Sequence, residues 1–229
     1  MQDTSAGAGQ PPDNNLDMPR LAAIYDRTAA FYDTVVAELQ ASAKLVAIET
    51  LNRQQGERLL EVGAGTGWAL NRIIKSGGAA GAYGLDLAPG MIEVARRRLR
   101  DETGLTYPPL LLGDATALPF ADAAFDCLLV TYTLEVLPND AILPALRECL
   151  RVLRRGGRMI ALNLTPGEGT DAAMTTDWQE RFVTDPEAFG GARPLAASGL
   201  LRQTGFEPVT RRYVGPDWPS EVLRGFKPG

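Results

Sequence analysis

The chain has 229 residues, of which 45% are hydrophobic and 22% charged, a composition that supports one globular domain with a full core rather than two complete domains. The formal net charge of -5 lacks the basic excess typical of nucleic-acid binders, so we expect no nucleic-acid partner. The chain has no histidine, which excludes a Ser-His-Asp triad, a Cys-His pair and a histidine metal site.

Cysteine usage and hydropathy indicate a cytosolic protein. Cys127 and Cys149 lie in apolar stretches and form no CxxC pair, so we interpret both as reduced core residues. The sequence shows neither a secretory signal pattern nor an apolar run near the ~20 residues that a membrane span needs. It also shows no carboxylate cluster with metal-ligand spacing. We therefore expect a cytoplasmic protein without a membrane span or a bound metal.

The amino-terminal region divides into two parts. Residues 1–19 are rich in Gly, Ala, Pro, Asp and Asn and lack periodicity, which predicts a disordered tail. Residues 20–52 carry apolar residues such as Ile24 and Leu51 at helical spacing. This pattern predicts a helical cap at the start of a single domain that spans residues 20–229.

From residue 58 onwards, short apolar runs alternate with amphipathic segments. The predicted strands cover residues 58–62, 82–87, 110–112, 125–131, 158–164, 207–214 and 221–226. The predicted helices cover residues 68–75, 89–100, 139–155 and 194–204, and residues 165–194 are interpreted as a lid insertion. This order implies an α/β fold with a doubly wound, mostly parallel seven-stranded sheet and helices on both faces. The last two strands follow each other without a helix, which predicts an antiparallel edge strand.

Basic residues cluster in two runs, at residues 96–98 and 151–158. Both runs lie where a predicted helix should end. We interpret them as helix-terminus charge and solvated surface.

A glycine-rich loop joins the first predicted strand to the first helix of the sheet. Its sequence is Glu61-Val62-Gly63-Ala64-Gly65-Thr66-Gly67. The three glycines allow a tight turn and let a ligand approach the backbone closely, and the helix that follows offers N–H groups and a positive dipole end. Trp68 occupies the sixth position of the dinucleotide fingerprint, so the loop departs from GxGxxG. On its own, such a loop is also compatible with a purely structural turn.

Two aspartates follow the next two predicted strands. Asp86 comes nineteen residues after Gly67, where a carboxylate can accept from both hydroxyls of a ribose. Asp114 follows the third strand, where it can accept from an adenine amino group. Each aspartate alone is also explained as a helix cap or a turn residue. Three such features in order, each at a strand end, favour a nucleoside-containing ligand.

Four stretches carry a resemblance to a known family: LLEVGAGTGWAL, GLDLAPGMIEVARRRL, GDATALPFADAAFD and LRECLRVLRRGGRMIAL. The chain resembles the class I S-adenosylmethionine-dependent methyltransferases, in the family that includes the ubiquinone and menaquinone biosynthesis C-methyltransferases and bacterial phosphatidylethanolamine N-methyltransferases. The resemblance covers residues 20–165 and, more loosely, Pro194 to the end. It implies a Rossmann-like fold, S-adenosylmethionine as the methyl donor and S-adenosylhomocysteine as the product.

The resemblance also implies which residues bind the cofactor. They are Tyr25, Glu61, Gly63, Ala64, Gly65, Thr66, Gly67, Asp86, Leu87, Met91, Gly113, Asp114, Ala115 and Thr131. Among them, Glu61 would hold the methionine end, Asp86 the ribose hydroxyls and Asp114 the adenine edge. Leu87 and Met91 would sandwich the adenine ring.

The implied reaction is an in-line displacement, in which a nucleophile attacks the methyl group of a sulfonium. Such a reaction depends mainly on alignment of donor and acceptor and on exclusion of water, so the lack of histidine is compatible with it. If a base is required, the catalytic candidates are Tyr32, Tyr132 and Glu135. The alternative explanation is packing for the two tyrosines and a surface charge for the glutamate.

The expected acceptor is a small molecule: a quinone precursor, a lipid head group or another metabolite. Trp178, Phe182 and Phe189 either line an apolar acceptor pocket or anchor the lid to the core. Arg193 either meets an anionic acceptor group or caps a turn. We expect a monomer or a homodimer, and transient lipid contact stays open.

Two other functions stay open on the residues alone. A non-catalytic module that binds S-adenosylmethionine and regulates a partner would need the same loop and aspartates. A nicotinamide-dependent oxidoreductase is the less favoured alternative. Trp68 departs from its fingerprint, and the sequence shows no YxxxK or histidine catalytic element.

Overall fold

A seven-stranded sheet forms the centre of the fold, for which a computed structural model describes residues 13–215 and 218–229. The strands are β1 (Leu59–Val62), β2 (Ala82–Asp86), β3 (Leu110–Leu112), β4 (Phe125–Thr131), β5 (Leu153–Leu164), β6 (Val209–Val214) and β7 (Ser220–Phe226). Their order across the sheet is β3-β2-β1-β4-β5-β7-β6. The chain order therefore reverses between β1 and β4, and the carboxyl ends of these strands flank a topological switch point.

The predicted fold class is confirmed. β1 to β5 pair in parallel, and helices pack on both faces. The antiparallel strand is β7, which pairs with both β5 and β6. It lies one position in from the edge of the sheet, which is formed by β6.

Helices flank the sheet on both sides. They are α1 (Met18–Thr28), α2 (Tyr32–Leu51), α3 (Trp68–Gly77), α4 (Pro89–Thr103), α5 (Asn139–Val152), α6 (Ala172–Thr184) and α7 (Ser198–Thr204). Leu59 of β1 packs with Ala47 of α2, whereas Leu60 packs with Leu146 of α5. Successive strand residues point to opposite faces, so the apolar runs seen in the sequence reflect burial on both sides. In the described part of the chain, no helix is long and apolar enough to span a membrane.

The amino-terminal boundary differs from the expected one. Residues 1–12 of the predicted tail lie outside the described residues, whereas residues 13–17 pack against the domain and α1 begins at Met18. Leu16 is buried, and the side-chain amide of Asn14 donates to the carbonyl oxygen of Val136 at 2.8 Å. The sequence did not predict this packing because the segment is held by individual contacts with residues distant in the chain, and such contacts leave no periodic pattern.

Two other predicted boundaries also move, and the first is the start of α7 at Ser198 instead of residue 194. α5 ends at Val152 instead of Arg155, because Leu153 already pairs with Phe125 of β4. The predicted lid, residues 165–194, contains a 3₁₀ turn and α6. Its role as a lid stays a prediction.

The basic runs are not simply solvated surface. Arg158 donates to the carbonyl oxygen of Leu51 and pairs with Glu57, each at 2.6 Å, which fastens β5 to the end of α2. Arg151, near the end of α5, donates to the carbonyl oxygen of Phe120, in the segment before β4, at 2.8 Å. These arginines therefore stabilise junctions between elements.

Candidate functional site

A cavity opens at the carboxyl ends of β1, β2 and β4, at the switch point of the sheet. Residues of α1 and α2 form its opposite wall. The predicted residues found in the cavity wall are Tyr25, Tyr32, Glu61, Gly63, Ala64, Gly65, Thr66, Asp86, Leu87, Met91, Gly113, Ala115, Thr131 and Tyr132. The fold thus brings together, in one cavity, side chains from separate parts of the sequence.

The glycine-rich loop turns tightly beneath the cavity. The N–H of Gly63 donates to the carbonyl oxygen of Leu85 at 2.8 Å, which ties the loop to β2. Gly65 has a φ of +52°, and a Cβ added there would meet no atom within 4 Å. At Gly67, with a φ of +73°, an added Cβ would lie only 2.9 Å from the Cβ of Ala95 on α4. Gly65 therefore leaves open space beside the cavity, whereas Gly67 permits close packing of the loop on a helix.

Asp86 connects the loop to the end of β2. One carboxylate oxygen accepts the N–H of Gly65 at 2.7 Å, and the other accepts the N–H of Ala88 at 2.9 Å. Burial raises the pKa of Asp86, and these backbone hydrogen bonds oppose the rise. Each oxygen of a carboxylate has two lone pairs, so this carboxylate retains acceptor capacity for a hydroxyl group in the cavity.

Glu61 and Lys44 bring an acidic and a basic side chain into the cavity wall. Glu61 is only 1% exposed, and its Oε2 accepts no hydrogen bond from any described residue. Burial raises the pKa of Glu61 to about 8, and the positive charge of Lys44 opposes this rise. Burial also lowers the pKa of Lys44, whose Nζ lies 5.7 Å from the ring centroids of both Trp68 and Tyr132.

The sequence analysis missed Lys44, although a signal was available. Lys44 follows Ala43 and precedes Ala47 by three residues, and both alanines are fully buried on the inner face of α2. A lysine among buried helix positions must find a partner or line a cavity, because an unpaired buried charge is costly. That Lys44 lines a cavity together with Glu61 becomes apparent only in the folded chain.

Gly67 and Asp114 are the predicted cofactor residues that lie outside the cavity wall. Oδ1 of Asp114 accepts both the N–H and the hydroxyl of Thr116, at 2.7 and 2.8 Å. Its two neighbours, Gly113 and Ala115, line the cavity instead. Asp114 therefore has the turn role that the sequence offered as one alternative, and its contact with adenine stays a prediction.

The three catalytic candidates differ in their surroundings. Tyr32 and Tyr132 line the cavity, and the hydroxyl of Tyr132 lies 2.8 Å from Oγ of Ser220. Burial raises the pKa of both tyrosines, which keeps the hydroxyls protonated. Glu135 is buried behind the wall instead of at the surface. Its Oε1 accepts the N–H of Leu164 at 3.1 Å, and burial raises its pKa to about 8.

The aromatic residues of the predicted lid pack against one another and do not contribute to the cavity wall that the described residues form. Trp178 donates its ring N–H to the carbonyl oxygen of Ala192 at 2.8 Å. The ring centroid of Trp178 lies 5.0 Å from that of Phe189 and 5.1 Å from that of Trp218. Phe182 is fully buried. These contacts fit the anchoring role that the sequence left open.

Arg193, at the end of the predicted lid, stabilises the turn that follows β4. It is fully buried and donates to the carbonyl oxygens of Glu135 and Leu137, at 2.6 and 3.0 Å, and to the side chain of Asn139. The structure therefore supports the turn-capping alternative for Arg193 rather than contact with an anionic acceptor.

Comparison with known proteins relates this geometry to a family. A family model described as a methyltransferase domain matches residues 59–157. A demethylmenaquinone methyltransferase of Tropheryma whipplei is 36% identical over 142 residues, which cover 62% of this chain and 54% of the relative. This chain thus spans about half the length of that relative.

A second relative is matched over a larger share of its length, and a solved structure has a similar fold. The ubiquinone/menaquinone biosynthesis C-methyltransferase UbiE of Dinoroseobacter shibae is 32% identical over 187 residues, which cover 73% of each chain. Among solved structures, the [4+2]-cyclase SpnF superposes with a TM-score of 0.75 at 20% identity, covering 96% of this chain and 99% of that one; this likeness concerns the fold alone. On the sequence relationships, the chain belongs to the class I S-adenosylmethionine-dependent methyltransferases, the family of the quinone-biosynthesis C-methyltransferases.

Proposed function

We propose that the protein transfers the methyl group of S-adenosylmethionine to a small-molecule acceptor. The observation that carries this proposal is the placement of two carboxylates, Glu61 and Asp86, in the wall of one cavity together with the glycine-rich loop. The cofactor has an ammonium group and two ribose hydroxyls, and each needs a hydrogen-bond acceptor. The two carboxylates supply acceptors of the required kind within this cavity.

The described residues fit this cofactor. The unpartnered Oε2 of Glu61 would accept from the methionine ammonium, since a buried carboxylate oxygen without a partner is costly. Lys44 would meet the methionine carboxylate, so that the two side chains match a zwitterionic amino acid. Gly65 leaves the open space in which the cofactor can lie against the loop.

The bound cofactor would supply an activated methyl group, and the chain would contribute orientation and exclusion of water. Tyr25 and Tyr32 lie side by side in the cavity wall, with ring centroids 6.0 Å apart. Burial raises the pKa of both tyrosines, so their hydroxyls stay protonated. They would donate hydrogen bonds to the molecule that receives the methyl group rather than remove its proton. We therefore propose catalysis by alignment, without a tyrosine base.

The amino-terminal side of the cavity favours an apolar or aromatic acceptor. Met18, Leu21, Val136 and Leu137 line the cavity together with Tyr25. Apolar and aromatic walls suit a ring better than a compact charged group, and the relatives named for quinone biosynthesis support the same class. We propose a quinone precursor first, and a lipid head group or another metabolite second.

Binding and turnover test this proposal separately. S-adenosylhomocysteine, but not NAD, should raise the thermal unfolding midpoint, because a ligand of the folded state stabilises it. The protein is then incubated with methyl-labelled S-adenosylmethionine and a metabolite-and-lipid extract, with Asp86→Ala as the impaired variant and Asp101→Ala, an exposed position on α4, as its matched control.

The outcomes point in different directions. Label in the organic phase that is lost in Asp86→Ala supports a quinone or lipid acceptor, and label in the aqueous phase supports a polar metabolite. Stabilisation without any transfer would favour the non-catalytic binding module. Stabilisation by NAD instead would overturn the methyltransferase proposal in favour of an oxidoreductase.

A further inference from the structure

A closed hydrogen-bonded triangle joins three elements around the cavity. Nη1 of Arg98, on α4, donates to both the carbonyl and the hydroxyl oxygen of Thr66, at 2.8 and 2.9 Å. Its Nη2 pairs with Oδ2 of Asp33 at 2.5 Å, near the start of α2. The hydroxyl of Thr66 in turn donates to Oδ1 of Asp33 at 2.8 Å. One guanidinium therefore holds the glycine-rich loop and the start of α2 at the same time.

The triangle is partly protected from water. The side chain of Arg98 is 20% exposed and that of Asp33 is 28% exposed. Arg98 and Asp33 are thus half-buried, and Thr66 is only 3% exposed. The guanidinium is hydrogen-bonded in two directions, a geometry in which a planar guanidinium performs better than an ammonium. An isolated surface ion pair would carry little weight, but a closed network of this kind constrains all three elements.

A second contact places the amino-terminal helices on α4. Oδ1 of Asp26, near the end of α1, accepts the N–H of Gly90 at 2.6 Å. A Cβ added at Gly90 would lie 2.8 Å from this oxygen and 2.9 Å from the backbone oxygen of Asp26. The end of α1 therefore rests directly on the start of α4, and the Asp33–Arg98 pair fixes the start of α2 farther along the same helix.

These contacts matter because α1 and α2 complete the cavity. Tyr25, Tyr32 and Lys44 line it from these helices, and Thr66 lines it from the loop. We infer that Arg98 is a positioning residue, which holds the amino-terminal helices closed over the cofactor and the loop in its binding shape. The inference rests on the proposed function. It assigns Arg98 an effect on cofactor retention and none on the chemical step.

Two variants and a matched control test this inference. Arg98→Ala removes the guanidinium, and Asp33→Asn removes its charged partner while an oxygen remains to accept from Thr66. Arg97→Ala, at the exposed neighbouring position of α4, is the control. Dissociation of S-adenosylhomocysteine is followed by intrinsic fluorescence, since Trp68 lies in the cavity wall. The rate of methyl transfer is measured at saturating S-adenosylmethionine.

We expect Arg98→Ala and Asp33→Asn to release S-adenosylhomocysteine about tenfold faster than the wild type, a loss typical of a charged hydrogen bond. We expect kcat at saturation to stay within about twofold, and Arg97→Ala to match the wild type. The double variant should release the ligand no faster than Arg98→Ala, because both changes break the same contact. If Arg98→Ala does not fold, the Asp33→Asn result decides.

Contrary results are equally specific. Release rates equal to those of Arg97→Ala would overturn the inference, as would a large fall in kcat with unchanged ligand release. A lower thermal midpoint without ligand, combined with an unchanged release rate, would show a purely structural role and overturn it too. Failure of the wild-type protein to bind S-adenosylhomocysteine would instead overturn the proposed function.

Discussion

The carboxylate of Asp86 accepts the backbone N–H of Gly65 at 2.7 Å, across the gap between β2 and the loop that follows β1. Its other oxygen accepts the N–H of Ala88 at the start of α4. A single side chain thus fixes the loop and the beginning of the helix, in addition to its proposed role as acceptor for the ribose. The two roles can be separated by experiment.

We predict that Asp86→Asn weakens S-adenosylhomocysteine binding by at least about tenfold and lowers the free energy of unfolding by about 1–2 kcal/mol. The amide has one acceptor oxygen where the carboxylate has two, so one backbone N–H loses its partner. Calorimetric titration and urea denaturation measure the two effects. Asp101→Asn on the exposed end of α4 should change neither. An affinity equal to that of the wild type would contradict the ribose role.

Local patterns predicted most of the fold, and many of the residues that the sequence singled out line one cavity. The apolar runs of β1 and β4 and the loop that contains Gly65 are properties of short segments, and Asp86 is found by its position at a strand end. Lys44 and Arg98 escaped prediction because their roles depend on partners that are distant in sequence. For Asp114 the sequence left a turn role and a contact with adenine as alternatives, and the hydrogen bonds with Thr116 support the turn role.

Gly65→Ala and Gly67→Ala are a matched pair of substitutions that should differ in whether stability or ligand affinity falls more. Both glycines have positive φ, so alanine costs about 1–2 kcal/mol of conformational strain at each position. At Gly67 the new Cβ would also meet Ala95 at 2.9 Å, which adds about 1–3 kcal/mol of overpacking. We therefore predict the larger loss of stability for Gly67→Ala and the larger loss of S-adenosylhomocysteine affinity for Gly65→Ala, measured by denaturation and titration. A larger loss of affinity in Gly67→Ala than in Gly65→Ala would contradict the position of Gly65 on the ligand side of the loop.

Lys44→Met should separate cofactor binding from stability. Methionine retains much of the apolar stem of lysine and removes a charge whose burial is unfavourable, so we expect the free energy of unfolding to change by less than about 1 kcal/mol. The proposed partner of the methionine carboxylate is lost, and KM for S-adenosylmethionine should rise about tenfold or more. Lys75→Met, at an exposed position on α3, should leave KM unchanged. An unchanged KM in Lys44→Met would contradict the assignment of Lys44 to the carboxylate.

Glu61 should make both stability and cofactor binding depend on pH. Because burial raises its pKa to about 8, the folded chain binds an extra proton between the ordinary carboxyl pKa and 8, so the contribution of Glu61 to stability falls as pH rises through that window. Its carboxylate is the proposed partner of the ammonium group, so affinity for S-adenosylhomocysteine should instead rise, by up to about tenfold per pH unit, as pH approaches 8. Titrations across this range measure the affinity. The Glu61→Gln variant should bind S-adenosylhomocysteine weakly and without the pH dependence. The pKa of Glu135 is also raised to about 8, but the Glu135→Gln variant should keep the pH dependence of the affinity. If the pH dependence were lost in Glu135→Gln and kept in Glu61→Gln, the assignment of the ammonium group to Glu61 would be wrong.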